Sequence, residues 1–152
     1  MNRPIGIVLR YADNLMARKV DTIEEHNKIF TEQGKVYVGK IGKFIGEKAI
    51  SICNDQKIIR CLILVKKNKQ GYEYYQAKIE SAQATKPPLN LIPEYYRNAK
   101  GISTWICINS KLEKLDDEDS KSWIIKSSGM ELSHTLRRSM AAYFITRKKS
   151  QN

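Results

Sequence analysis

Lys57-Ile58-Ile59-Arg60-Cys61-Leu62-Ile63-Leu64-Val65-Lys66 is the stretch whose reading decides the fold. It is a β-branched, aliphatic run held between Asn54-Asp55 and Lys67-Asn68-Lys69-Gln70-Gly71, the pattern of a strand that enters a hairpin link. Tyr72 to Ala82 pairs back, with Tyr72 and Tyr74 alternating against Glu73 and Tyr75 before the alternation blurs. Further strands are expected at Pro4 to Arg10, Val36 to Lys40, Ser103 to Asn109, Ser122 to Ile125 and Ala141 to Thr146. One helix opens at Thr22-Ile23-Glu24-Glu25, which has capping-box spacing, and Gly34 is its stop. Gly39, Gly42 and Gly46 punctuate the loop that follows. Pro87-Pro88 hold the chain extended, Ile92 to Arg97 makes a single helical turn, and Ser133 caps a very short helix through Arg137.

Six or seven strands without long alternating helices exclude a repeated βαβ plan. They predict an α+β chain: a small mixed or antiparallel β-barrel, closed, with one N-terminal helix and short helical turns. At 152 residues and 41% apolar content, a single domain over 1–147 with a basic tail at 148–152 is expected. No run of about 18 apolar residues is present, so no membrane span is expected. The apolar run Pro4 to Leu9 is too short for a secretory signal. Cys53, Cys61 and Cys107 form no CxxC pair, which fits neither a disulfide framework nor a zinc site. Cys61 and Cys107 lie in apolar runs and read as small core residues, so a reducing, cytoplasmic setting is expected.

The net charge of +11 is unevenly spread. Residues 35–70 carry +7 and residues 137–152 carry +5, whereas 116–136, with Asp116-Asp117-Glu118-Asp119, carry −3. Clustered cations are the footprint of a polyanion binder, because each Lys or Arg that meets a phosphate releases condensed counterions. Gly39-Lys40-Ile41-Gly42-Lys43-Phe44-Ile45-Gly46 matches neither GxGxxG nor a P-loop, but it presents Lys40, Lys43 and Lys48 to a phosphate backbone.

Catalytic signals are sparse. His26 falls on or beside the apolar face of its helix, and His134 sits in a polar turn. No HExxH or GxSxG motif occurs, and neither a metal site nor a cofactor is expected. The aromatics are more informative. Apart from Tyr11, every Tyr and both Trp lie from residue 37 onward, among the basic segments. Such rings stack on bases, although Trp105 and Tyr143 also read as core. Tyr95 and Tyr96, beside Arg97, are the surface candidates.

Val36-Tyr37-Val38-Gly39-Lys40, the Ile92-Pro93-Glu94-Tyr95-Tyr96 turn, Thr104-Trp105-Ile106-Cys107-Ile108, Ser127-Ser128-Gly129 and Arg138-Ser139-Met140 together resemble the PUA-like superfamily. That group includes the EVE, YTH and ASCH domains and the DNA-reading N-terminal domains of McrB-type modification-dependent restriction proteins. The resemblance implies a pseudo-barrel that encloses one flipped, modified base. Carried over, Tyr37, Trp105, Ser127 and Ser128 line the base pocket, and Lys40, Lys43, Arg137 and Arg138 meet phosphates. The aromatic and charge patterns add Tyr95 and Tyr96 to the pocket and Lys48 and Arg97 to the phosphate contacts. The function expected is a non-catalytic nucleic-acid reader, with DNA preferred over RNA, working with a protein partner or an appended ATPase or nuclease module. Two alternatives stand beside it: an ASCH-like hydrolase of a modified nucleoside using Glu80, Lys78 and Thr104, and an anti-restriction or regulatory factor that binds an acidic protein.

Overall fold

The computed structural model describes residues 5–10, 21–68, 71–116, 123–125 and 143–147. In chain order these form β1 (Ile5–Arg10), α1 (Thr22–Gln33), β2 (Val36–Ile41), α2 (Glu47–Asn54), β3 (Arg60–Asn68) and β4 (Gly71–Gln83). Two 3-10 turns follow, Leu89–Leu91 and Glu94–Tyr96, and then β5 (Ile102–Ile108), β6 (Glu113–Lys114), β7 (Trp123–Ile125) and β8 (Tyr143–Arg147). The fold is α+β. The expected helix at Ser133 to Arg137 and the turn at Ser127 to Gly129 lie outside the described residues.

The deciding stretch is the centre of the sheet. β3 pairs antiparallel with β4 from Cys61↔Lys78 to Asn68↔Gly71, and parallel with β1 from Ile5↔Arg60 to Arg10↔Val65. Its neighbours satisfy both hydrogen-bonding edges, and the uninterrupted burial of Cys61 to Val65 shows that both faces of the strand are covered as well. The strand order is β2-β5-β4-β3-β1-β8-β7, with β6 on β4. Among the described residues no pairing joins β2 to β7. The sheet is therefore an open pseudo-barrel, which corrects the expectation of closure.

The bend of the sheet is made within one long strand. β4 pairs with β3 along its first part and with β5 along its last, and its register against β5 slips between Ile79 and Ser81. Glu80 is the extra residue of a β-bulge, which bends and twists a strand. Its carbonyl, lost to the ladder, accepts from Arg60 Nη1 at 3.1 Å and from Gln56 Nε2 at 3.4 Å. The Arg60 guanidinium also donates to the carbonyl of Cys53 at the end of α2. One guanidinium thus ties the bulge to a helix C-terminus, where a cation complements the macrodipole.

α2 adds a second helix to the one read from the sequence. Its signal is short: Glu47 sits in the first turn, and Ala49 and Cys53, four apart, are its buried residues. Three glycines just upstream mask so brief a periodicity. α2 is pinned to β4 by Asn54, whose side-chain amide bonds both the N–H (2.8 Å) and the C=O (3.2 Å) of Ala82. Asn27 of α1 holds Leu112 in the same way, at 2.8 and 3.1 Å. α1 itself begins at the Asp21 cap and ends at Gly34, which adopts the left-handed conformation (φ 81°) that a helix stop needs. Its buried Ile23 joins Leu62, Leu64, Ile106 and Ile108 in the main core.

Candidate nucleic-acid interface

Alternation along β2 and β5 divides two cores. Val36 and Val38, with Ile106 and Ile108, face the main core, whereas Tyr37, Trp105 and Cys107 face the other side. The register sets Tyr37 opposite Cys107 and Gly39 opposite Trp105. The 3-10 turns then cross this second face. Pro88 (φ −54°) and Pro93 (φ −55°) precede them with their backbone angle already fixed.

The result is a packed aromatic layer. Tyr96 meets Trp105 edge-to-face, with ring centres 5.5 Å apart and planes at 83°. Tyr95 leans on Tyr96 at 4.6 Å, and His26 of α1 touches both tyrosines edge-on at 6.3 and 5.6 Å. Tyr96 donates through its hydroxyl to the carbonyl of Gly39 at 3.4 Å, and Tyr37 to Gln83 Oε1 at 3.5 Å. Four of the six residues nominated for a base pocket are therefore neighbours. Tyr37, Tyr96 and Trp105 are only 8%, 4% and 3% exposed, so Tyr96 is a floor residue rather than a surface one. Tyr95 alone of the four is part-exposed. Ser127 and Ser128 lie outside the described residues.

His26 is fully buried. Its Nδ1 stands 2.7 Å from the carbonyl of Thr22, which assigns the proton to Nδ1 and leaves Nε2 as an acceptor with no partner among the described residues. Burial drives its pKa down to about 4, with the Thr22 bond opposing the shift. Burial also pushes the thiols of Cys53 and Cys107 up to about 12. Neither is a ready nucleophile, since thiolate is the reactive form.

The cations separate into buried and exposed. Lys40 is 6% exposed, and its ammonium donates to the carbonyls of Ile41 and Lys43, so it caps its own loop instead of facing a phosphate. Burial lowers its pKa. Lys43, Lys48 and Arg97 are exposed. Gly42 donates to the carbonyl of Gly101 at 2.9 Å, which brings the Lys43 loop against Lys100. Lys86 donates to the carbonyl of Arg97 at 2.8 Å. Lys86 and Lys100 were not singled out in the sequence, because a lone lysine beside a Pro or Gly turn has no pattern of its own. Arg137 and Arg138 lie outside the described residues.

The residues of the hydrolase set are engaged with other groups or turned to solvent. Glu80 ion-pairs with Lys35 at 4.0 Å and accepts from the Cys107 thiol at 3.3 Å. Thr104 is buried, with its hydroxyl 3.3 Å from that of Ser103, and Lys78 is exposed.

A family model described as Pua-like matches residues 7–142, most of the chain. The chain belongs to the Pua-like family. The match begins within β1 and ends just before β8, so it takes in β2 to β7 and the turns that cover the aromatic face. No curated protein and no solved structure matches the chain. Pua-like membership agrees with the resemblance drawn from the strand motifs, and it supports binding of nucleic acid or a modified nucleoside at that coarse level. It does not separate the EVE, YTH and ASCH types. Among the described residues, no helix is long and apolar enough to cross a membrane.

Proposed function

We propose that this Pua-like chain is a non-catalytic reader of nucleic acid, most at home on DNA that carries a modified base. The observation that carries the reading is the convergence of Tyr37, Tyr95, Tyr96 and Trp105 in one layer, next to exposed Lys43, Lys86, Arg97 and Lys100. In this reading Tyr37, Tyr96 and Trp105 form a rigid floor, and the exposed part of Tyr95 receives the face of a flipped base. Flipping costs a few kcal/mol of unstacking, and base–aromatic stacking returns about 1–3 kcal/mol per base. The exposed cations, Lys48 among them, hold the strand on either side through its phosphates, and Arg137 and Arg138 are the further phosphate contacts expected from the sequence. The burial of Cys53, Cys61 and Cys107 as small core residues accords with action in a reducing cytoplasm.

The test is a set of binding titrations with duplexes carrying methylated cytosine, methylated adenine or no modification, each repeated over a range of salt. The reading expects log Kd to change linearly with log salt, and one modified duplex to bind at least tenfold tighter than the plain one. A salt-independent affinity overturns the phosphate contacts, and equal affinities overturn the modified-base preference.

A further inference from the structure

A second feature lies on a different part of β4. β5 leaves β4 where Asn109 N–H donates to the carbonyl of Lys78 at 3.1 Å. The chain then arches away and returns as β6, pairing Tyr75 with Lys114 and Gln76 with Glu113, and Leu115 N–H reaches the carbonyl of Tyr74 at 2.8 Å. The arch is held open at its crown by the two bonds from Asn27 to Leu112. Ser110 Oγ accepts from the backbone N–H of Lys78 at 2.7 Å, which fixes the inner end. Between arch and strand is a cleft of about 440 Å³, lined by Gln76, Lys78, Ser110, Lys111, Glu113 and Lys114 among others. That lies within the range of ligand sites, roughly 300–1,000 Å³.

The chemistry of the lining is asymmetric. Lys78, Lys111 and Lys114 stand against a single lining carboxylate, Glu113, and Lys114 is also paired with Glu73 at 3.6 Å. Lys78 and Lys111 are exposed, and neither has a carboxylate partner among the described residues. In the wall, Gln76 Oε1 is buried with no hydrogen-bond partner there. A buried acceptor without a partner is costly, and a turn of the half-buried Gln76 side chain that brings it to a ligand N–H in the cleft removes that cost. Two cations at the mouth and an unmet acceptor in the wall call for a ligand that joins an anion to a donor.

We infer that this cleft binds one nucleotide unit, its phosphate held by Lys78 and Lys111 and an amino or imino group of its base turned toward Gln76. The inference deepens the nucleic-acid reading by adding a contact away from the aromatic layer. A free nucleotide and a nucleotide within a strand share this chemistry, and the experiment separates them.

Adenosine 5′-monophosphate, adenosine and a 20-residue DNA strand are titrated into the full chain, with amide NMR signals of Lys78, Ser110 and Lys111 followed. The same is done for the Lys78→Gln/Lys111→Gln double variant, whose altered side chains are exposed. The monophosphate is expected to shift these signals saturably and adenosine far more weakly, the double variant abolishing the difference. For the strand, the variant is expected to bind about tenfold more weakly, with a log–log salt slope shallower by about 1–2. A response to the monophosphate with unchanged strand affinity assigns the cleft to free nucleotides. Loss of strand affinity without that response assigns it to the strand. No response to either overturns the inference, and so does a poly-glutamate peptide that binds the cleft as well as the strand does. The aromatic reading is judged separately by the modified-base preference of Tyr95→Ala, a substitution outside the cleft lining.

Discussion

The ring of Trp105 lies over Gly39, so close that a Cβ on Gly39 would stand 3.1 Å from ring carbon Cζ3 and 3.1 Å from Ile102 Cγ2. The absent side chain is what lets Trp105 and Ile102 approach β2 this closely. Gly39→Ala is expected to destabilise the fold by about 1–3 kcal/mol, the usual cost of forcing an extra methyl into a packed core. Urea denaturation checks this through a lower midpoint at unchanged slope. An unchanged midpoint would mean that Trp105 shifts aside freely.

Trp105 is a structural member of the layer, and its removal should behave as core loss. Trp105→Ala is expected to cost about 3–5 kcal/mol, and Trp105→Phe clearly less. Thermal melting of both variants ranks them. For that reason Trp105→Ala is a poor probe of base preference, whereas Tyr95→Ala tests it on a part-exposed ring.

Buried His26 makes stability depend on pH. Its folded pKa, about 4, lies below the ordinary value of 6.5, so the unfolded chain binds the extra proton first. Stability is therefore expected to be full above pH 6.5 and to fall as pH drops from 6.5 toward 4, by up to about 3 kcal/mol from this group. Denaturation curves at pH 7 and pH 4.5 measure the loss. His26→Leu should narrow the gap between them, and an equal gap in the variant would assign the loss to carboxylates.

Asn54 acts as a one-residue strand on Ala82, so Asn54→Ala strands a backbone donor and an acceptor together. The expected cost is about 1–3 kcal/mol, two net hydrogen bonds. Asn54→Asp keeps the acceptor and should fall between the two. Native-state hydrogen exchange at Ala82 should rise most in Asn54→Ala and much less in Asn54→Asp, which keeps an acceptor for the Ala82 N–H.

Exposed cations beside the aromatic layer should act through phosphates. Arg97→Ala and Lys43→Ala are each expected to lower the log–log salt slope by about 1 and to weaken all sequences alike. Lys40→Ala is expected to lower stability instead, since its ammonium closes the loop that carries Lys43.

Much of the strand plan was legible because β-branched runs and turn residues carry it. The Lys57 to Lys66 run, the Tyr72 to Ala82 return and the Gly34 stop were readable from side-chain type alone. α2 was not, because eight residues behind three glycines leave one buried pair to detect. Resemblance points to Tyr37 and Trp105, and the aromatic pattern to Tyr95 and Tyr96, but neither gives their depth, since burial depends on the turns that cross them. Lys40 shows the limit best. A lysine in a glycine-rich loop reads as surface, and only the fold reveals carbonyls of its own loop around its ammonium. Lys78 and Lys111 were invisible as a pair, being joined by an arch of the backbone rather than by spacing.

The blurred alternation in β4 now has a cause with a consequence of its own. Ala77, Ile79 and Ala82 point inward at intervals of two and then three, with Glu80 as the inserted step. A single residue thus shifts the phase of the strand, so that its two ends keep separate counts of inside and outside. Removing one residue there would restore an unbroken two-residue rhythm and straighten the strand. The cleft borders the strand before that inserted residue, at Gln76 to Lys78, and the aromatic layer borders it after, at Gln83. Their angle to one another is therefore written as a reading-frame offset in the side chains rather than as a joint between two bodies.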